Sequence, residues 1–262
     1  MKALILASGS AANTTYLEIG GSKILIDCGL SYRQIVYRLK EKGKDLDGLA
    51  GVFITHEHAD HVAGLRVLAK NHQMKIYLSK GTYEALDKRY LGDVSDDLFV
   101  IVKENEVHDF GDYKVMPFNT FHDAAAPFGY RFIEEEKSLV YITDTGYFPI
   151  KHYDLLRNAD CYIIESNHEV EMLLESSRPW QLKRRILDDQ GHLSNEDSAN
   201  LLLNLAGDRT RHIVLAHLSR ECNLEELAIG TYKRVFFEQG VDITCYNLLA
   251  ARQNESSEEI II

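Results

Sequence analysis

The sequence predicts an α/β (α+β) chain built as a four-layer αβ/βα sandwich, and three observations lead there. Short apolar strands dominate the first third and return in the middle. Strands and helices alternate over the last third. No Pro-rich hinge or low-complexity linker interrupts the 262 residues, which include only four prolines. Many strands first and alternating elements later fit two sheets with helices outside. A single domain spanning 1–262 is therefore expected.

The first strands read as 3–7, 14–19, 23–27, 51–55 and 75–78. Ser31-Tyr32-Arg33-Gln34 is a capping-box signature and Gly43 a stop, which predicts a helix over 32–42. Another helix begins at His61 and places Val62, Leu65 and Leu68 on one face. Strands follow at 98–102, 113–120, 128–134 and 138–143. Strand 161–164 precedes a helical region over 169–189, and a helix over 195–206 leads to strand 213–216. A last helix, with Asn223 and Glu226 as its capping box, runs to Gly240, and strand 243–246 closes the fold.

Composition is that of an ordinary globular protein, 45% hydrophobic and 26% charged. No apolar run approaches the ~20 residues that span a bilayer, so no membrane partner is expected. Residues 1–8 are too short in their apolar part for a signal peptide and read as a first strand. Cys28, Cys161, Cys222 and Cys245 form no C-x-x-C pair, which points to buried free thiols and a cytoplasmic protein. A net charge of −11 argues against nonspecific coating of nucleic acid but leaves room for a local basic track. Lys183-Arg184-Arg185 is one candidate, with Arg211-His212 and Lys233-Arg234 as others; each alone also fits a solvated face. Nothing in the sequence speaks to oligomeric state.

The chemistry concentrates in Thr55-His56-Glu57-His58-Ala59-Asp60-His61, directly after the apolar run 49–54. A strand that delivers His56, His58, Asp60 and His61 in one tight loop gathers ligands for two adjacent ions. Ions about 3.5–4 Å apart generate a hydroxide and clamp a substrate oxygen. Further ligands should also follow strands, and three positions do: His122 after 115–121, Asp144 after 139–143 and His217 after 213–216. A carboxylate has two oxygens, so Asp144 can bridge, and Gly146 lets the chain turn beside it. Asp27 ends strand 24–26 and suits a carboxylate that orients a ligating histidine. It equally suits a strand-end turn before Gly29.

With Asp27, His122, Asp144 and His217 in that order after the 55–61 motif, the chain resembles the metallo-β-lactamase-fold hydrolase superfamily. The resemblance implies that fold. It also implies that His56, His58 and His122 hold one ion, that Asp60, His61 and His217 hold the other, and that Asp144 bridges them. Iron–oxygen redox members carry Glu at the second motif position, and His58 stands there instead, which favours hydrolysis.

Gly191-His192-Leu193-Ser194-Asn195-Glu196-Asp197 narrows the class. It sets His192 just before a helix start with Ser194 and Asp197 spaced as a capping box, and a helix N-terminus is a phosphate site. Spacing alone also fits a plain capped surface helix. Nuclease and phosphodiesterase members carry a similar His motif. Residues 7–10, 122–130, 165–168, 182–186 and 217–220 resemble the WalJ/YycJ-type exonucleases and span nearly the whole chain. That resemblance implies 5′→3′ exonuclease action, chiefly on DNA ends. Asp60 and His192 are expected as catalytic residues, Ser194 at the helix N-terminus as a phosphate contact, Lys183, Arg184 and Arg185, which lie between Asp144 and His192 in sequence, as contacts to substrate phosphates, and Asn13 in the early loop as a substrate contact. In the early loop Ala12 stands where the family has glycine, so a loop needing positive φ there would be reshaped.

No insertion between Asp144 and His217 is long enough for a β-CASP cap. The His and Asp ligands suit Zn²⁺, and the two oxygen donors also suit Mn²⁺. The alternatives on the same dinuclear site are a phosphodiesterase for a small cyclic nucleotide and a thioester or lactone hydrolase. The thioester or lactone hydrolase would need neither His192 nor the basic cluster.

Overall fold

The structure, a computed structural model, describes residues 1–262. The chain opens with strands β1 (Lys2–Ala7), β2 (Thr14–Ile19) and β3 (Ser22–Ile26), then helix α1 (Tyr32–Glu41), β4 (Leu49–Phe53), α2 (Ala59–Val62) and α3 (Leu65–Asn71). It continues through β5 (Lys75–Leu78), α4 (Lys80–Ala85), α5 (Lys88–Leu91), β6 (Phe99–Ile101), β7 (His108–Asp109), β8 (Lys114–Asn119), β9 (Phe128–Glu134) and β10 (Lys137–Ile142). The last part holds α6 (Tyr153–Leu156), β11 (Cys161–Glu165), α7 (Val170–Glu175), α8 (Trp180–Ile186), α9 (Asn195–Leu205), β12 (His212–Ala216), α10 (Glu225–Glu238), β13 (Asn247–Ala250) and β14 (Ile260–Ile261). Two mixed seven-stranded sheets result, ordered β14-β1-β2-β3-β4-β5-β6 and β13-β12-β11-β10-β9-β8-β7. No helix is long and apolar enough to cross a membrane.

The chain divides into two compact units. The first comprises residues 1–119, 124–136 and 252–261, the second 120–123, 137–251 and 262. In the first unit β3, β4, β5 and β6 run parallel, so the C-terminal ends of β3 and β4 lie side by side. Their inward residues Leu25, Val52 and Ile76 are fully buried with Ile35 and Leu39 of α1 and Leu65 and Leu68 of α3. The α1 helix starts on Ser31, whose hydroxyl accepts from Gln34 N, and ends before Gly43 at φ 68°, as its sequence signals predict. The opposite face of β4 meets the antiparallel β7-β8-β9 ribbon through Phe53, whose ring lies edge-on to Tyr130 and Phe132 at 5.5 and 5.4 Å. Tyr130 Oη donates to Ile54 O at 2.6 Å, which fixes the end of β4 where the His-rich loop begins.

In the second unit β10, β11, β12 and β13 are all parallel, and β11 is buried along its whole length. Runs of this kind are what a parallel sheet requires. Helix α9 begins on Ser194, whose Oγ accepts from Asp197 N at 3.1 Å, and is tied to α10 by the Ser198 and Tyr232 hydroxyls at 2.5 Å.

Several elements depart from the sequence pattern. The helix expected from His61 is two, α2 and α3, parted at Gly64. A Cβ at Gly64 would come within 2.0 Å of Leu30 O, so only glycine lets these backbones meet. The 169–189 region is also two helices, α7 and α8, because Pro179 supplies the N-cap of the second and disfavours helix before it. Asn223 does not cap α10, whose N-cap is Leu224; its amide instead donates to the carbonyls of Ser166 and Asn167. The strand expected at 243–246 is a 3₁₀ turn over Ile243–Cys245, nucleated by Asp242 accepting from Thr244 N, and pairing starts only at Asn247. Cys28, Cys161 and Cys222 are buried free thiols as expected, but Cys245 on that turn is exposed.

Candidate metal centre

The first unit presents its donors on the loop between β4 and α2. His56 and His61 are buried with ring centroids 4.0 Å apart, and His58 lies 4.6 Å from His56. Asp27 sits behind them, fully buried at the end of β3. It accepts from Thr55 N at 2.8 Å, from Thr55 Oγ1 at 2.9 Å and from His61 Nδ1 at 2.7 Å. Donation from Nδ1 assigns the tautomer and makes Nε2 the unprotonated nitrogen, the atom a metal would take and the one Asn13 Nδ2 approaches. Burial pushes the Asp27 carboxyl above its ordinary range, opposed by His61 and Thr55.

Asp60, like His58, is partly open, its side chain 23% exposed. Asn13 Nδ2 donates to Asp60 Oδ2 at 3.2 Å and lies 3.0 Å from His61 Nε2, while Asn13 N donates to Asp60 O at 2.7 Å. Asn13 is itself fully buried, so it holds Asp60 and His61 from behind and offers no atom to a nucleotide, contrary to its expected role. The early loop also keeps its shape with alanine: its left-handed residue is Gly9 at φ 140°, and Ala12 is not in that region. Gly29 is where no side chain fits, since a Cβ there would stand 1.7 Å from Asp60 O.

The second unit gathers His122, Asp144, Glu165, His192 and His217. Asp144, at φ 57°, and His217, at φ 56°, each take the left-handed conformation just past β10 and β12, as Asp27 does past β3 at φ 58°. Such a backbone is uncommon outside glycine and turns the side chain sharply off the strand end. The turn beside Asp144 is made by Asp144 itself. Gly146 is needed instead because a Cβ there would meet Asp188 O at 2.2 Å.

Asp144 Oδ1 lies 3.5 Å from His217 Nε2 and 3.8 Å from His122 Nε2. Ligands about 2.0–2.2 Å from one tetrahedral ion are spaced by nearly this much, so the donor set fits a metal. His122 Nδ1 donates to Gly191 O at 3.1 Å and His217 Nδ1 to Glu165 Oε1 at 3.0 Å, which turns both Nε2 atoms toward Asp144. Burial lowers the affinity of His122 for a proton, partly offset by Asp144, and this favours the neutral ring that ligates.

Glu165 is the functional residue that sequence reasoning missed. It closes β11 fully buried, accepts from His192 Nδ1 at 2.7 Å and His217 Nδ1 at 3.0 Å, and receives Thr145 N at 2.9 Å. Burial opposes its ionisation, but His192 and His217 outweigh that and hold its carboxyl well below the usual carboxylate range. A signal was present: a lone Glu ends the apolar strand 161–164, the rule that singled out Asp144 and His217. His192 itself is 19% exposed, against 3% for Asp144 and 2% for His217, so it is the ring that faces outward.

Ser194 caps α9, and its hydroxyl also donates to Asp197 Oδ2 at 2.6 Å. Of the basic cluster, Lys183 turns inward. It is 8% exposed, and its ammonium donates to Leu174 O at 2.6 Å and Ser176 O at 2.7 Å. It therefore satisfies the end of α7 and does not present a charge to phosphate. Arg185 pairs with Asp123, next to His122, and Arg184 is exposed.

Comparison with known proteins agrees with this geometry. Residues 22–218 match the beta-lactamase superfamily domain. The exodeoxyribonuclease WalJ of Streptococcus pneumoniae serotype 2 (strain D39) is 42% identical over 248 residues, 93% of this chain and 92% of that one. The exodeoxyribonuclease YycJ of Bacillus anthracis is 38% identical over 239 residues, 91% of this chain and 90% of its own. Among solved structures, the metallo-beta-lactamase fold protein YhfI of Bacillus subtilis superposes with a TM-score of 0.74 at 16% identity, covering 99% of each chain.

Proposed function

This chain belongs to the metallo-β-lactamase-fold hydrolase superfamily and, within it, to the WalJ/YycJ family, and we propose that it is a metal-dependent 5′→3′ exodeoxyribonuclease. By the family resemblance, His56, His58 and His122 would hold one divalent ion and Asp60, His61 and His217 a second, Zn²⁺ or Mn²⁺, with Asp144 as the carboxylate ligand common to the two. When bound, such ions would lower the pKa of a coordinated water toward neutrality and polarise a phosphoryl oxygen. We assign it to the cytoplasm, where thiols such as Cys28 and Cys161 stay reduced.

The observation that carries this reading is the Glu165–His192 pair beside Asp144, with His192 the exposed ring of the group. Asp60, steadied by Asn13, orients the attacking water. The attacking water releases one proton to solvent, from which His192 is recharged after each turn, and its oxygen bonds to phosphorus while the bond between phosphorus and the 3′ oxygen of the terminal nucleotide breaks. His192, held at Nδ1, gives the proton at Nε2 to that leaving oxygen, and Glu165 compensates the charge on the ring. Each cycle leaves a new 5′-phosphate. The substrate class rests on the two exodeoxyribonuclease relatives.

The test is incubation of metal-loaded protein with 5′-phosphorylated and unphosphorylated DNA, duplex and single-stranded. Stepwise mononucleotide release from the 5′ end is expected; DNA left intact in both metals overturns the reading. His192→Ala should keep both metals and lose about 10²–10⁴-fold in turnover. An equal loss of metal would make His192 a ligand instead.

A further inference from the structure

We propose that Tyr147, backed by Phe121, is a stacking platform for the base of the 5′-terminal nucleotide, an inference that rests on the exonuclease reading above. The two residues flank the ligands of the second unit. Phe121 immediately precedes His122, and Tyr147 lies three residues after Asp144. Their rings meet edge to face at 5.8 Å. Phe121 is half-buried, whereas Tyr147 is 47% exposed.

The backbone under this pair is tied down on both sides. Gly146 N donates to Phe121 O at 3.0 Å, Phe121 N to Thr145 Oγ1 at 3.0 Å, and Thr145 Oγ1 to Tyr147 O at 2.6 Å. Thr145 N is held in turn by Glu165 Oε2, the carboxylate that carries His192 and His217. On the far side Phe148 is 4% exposed and stacks on Tyr153, their centroids 6.3 Å apart. Tyr147 is thus an aromatic ring facing solvent from a hydrogen-bonded loop that connects through Thr145 to Glu165.

Stacking on an aromatic face is how proteins grip nucleotides without reading sequence, because every base offers a π-face. An enzyme that releases nucleotides one after another needs that tolerance. A rigid ring also loses little freedom on binding. The platform therefore supplies sequence-independent grip on the nucleotide being released, complementary to phosphate contacts that hold the strand.

The experiment compares the metal-loaded enzyme with its Tyr147→Ala and Tyr147→Phe variants on two oligonucleotides. One is an ordinary DNA strand, the other the same strand with abasic residues at its first two 5′ positions. Tyr147→Ala should raise KM on the ordinary strand about tenfold or more, while Tyr147→Phe stays near the parent enzyme. On the abasic strand all three should share the same raised KM, with kcat and metal content preserved. An unchanged KM for Tyr147→Ala on the ordinary strand overturns the platform, as does an equal loss on both strands. A parent enzyme that degrades neither strand overturns the exonuclease reading and the platform with it.

Discussion

At the scale of single residues, the site is a set of histidines whose orientation is set from behind. Asp27 secures His61 and Thr55, Glu165 secures His192 and His217, and Asn13 secures Asp60. Asp27→Asn should weaken metal affinity about 10–100-fold, measured by competition with a chromogenic chelator; an unchanged affinity would remove its orienting role. His168 makes a separate prediction. Both its ring nitrogens are buried without a hydrogen bond, and burial pushes its pKa down to about 4. The folded state therefore binds this proton less readily than the unfolded chain, whose histidines titrate near ~6.5. The contribution is fully present above that value and is lost as pH falls toward 4, by up to about 3 kcal/mol. His168→Gln should flatten the fall of thermal midpoint between pH 7 and 4 relative to the parent; parallel curves would contradict it.

At the scale of elements, strand ends place the chemistry and helix ends support it. Asp27, His56, Asp144, Glu165 and His217 all lie at or just past the C-terminal ends of parallel strands, where the chain leaves the sheet. Helix α8 shows how a charged run divides its labour. Lys183 is drawn back onto the last carbonyls of α7, while Arg184 points to solvent. Lys183→Ala should lower the thermal midpoint and leave the salt dependence of DNA binding unchanged. Arg184→Ala should do the reverse, reducing the slope of log K against log salt by about 1. If Lys183→Ala changes the slope and Arg184→Ala does not, the inward placement of Lys183 is irrelevant to binding. Ser194→Ala removes the α9 cap and should cost about 1 kcal/mol of stability.

At the scale of the whole molecule, metal binding and folding are linked, because a preformed donor set exists only in the folded chain. Removing metal with a chelator should lower the thermal midpoint, by an amount equivalent to about 2.7 kcal/mol where the free ion stood at a hundred times its dissociation constant. A midpoint indifferent to chelation would count against two bound ions. Much of this protein was legible in its sequence. The strand pattern, the caps of α1 and α9 and all seven proposed metal ligands follow from local rules. Apolar periodicity marks where strands end, and His and Asp in those places have few other uses. The role of Glu165, the inward turn of Lys183, the concealment of Asn13 and the split of α2 from α3 did not follow. Each depends on which distant backbone or side chain lies opposite: His192 and His217, Leu174 and Ser176, Asp60, or Leu30. By itself the sequence determined which side chains can hold metal and roughly where. Only the tertiary structure decided which polar groups are buried against a partner and which face outward to act, because burial and hydrogen bonding are set by packing between segments far apart in the chain.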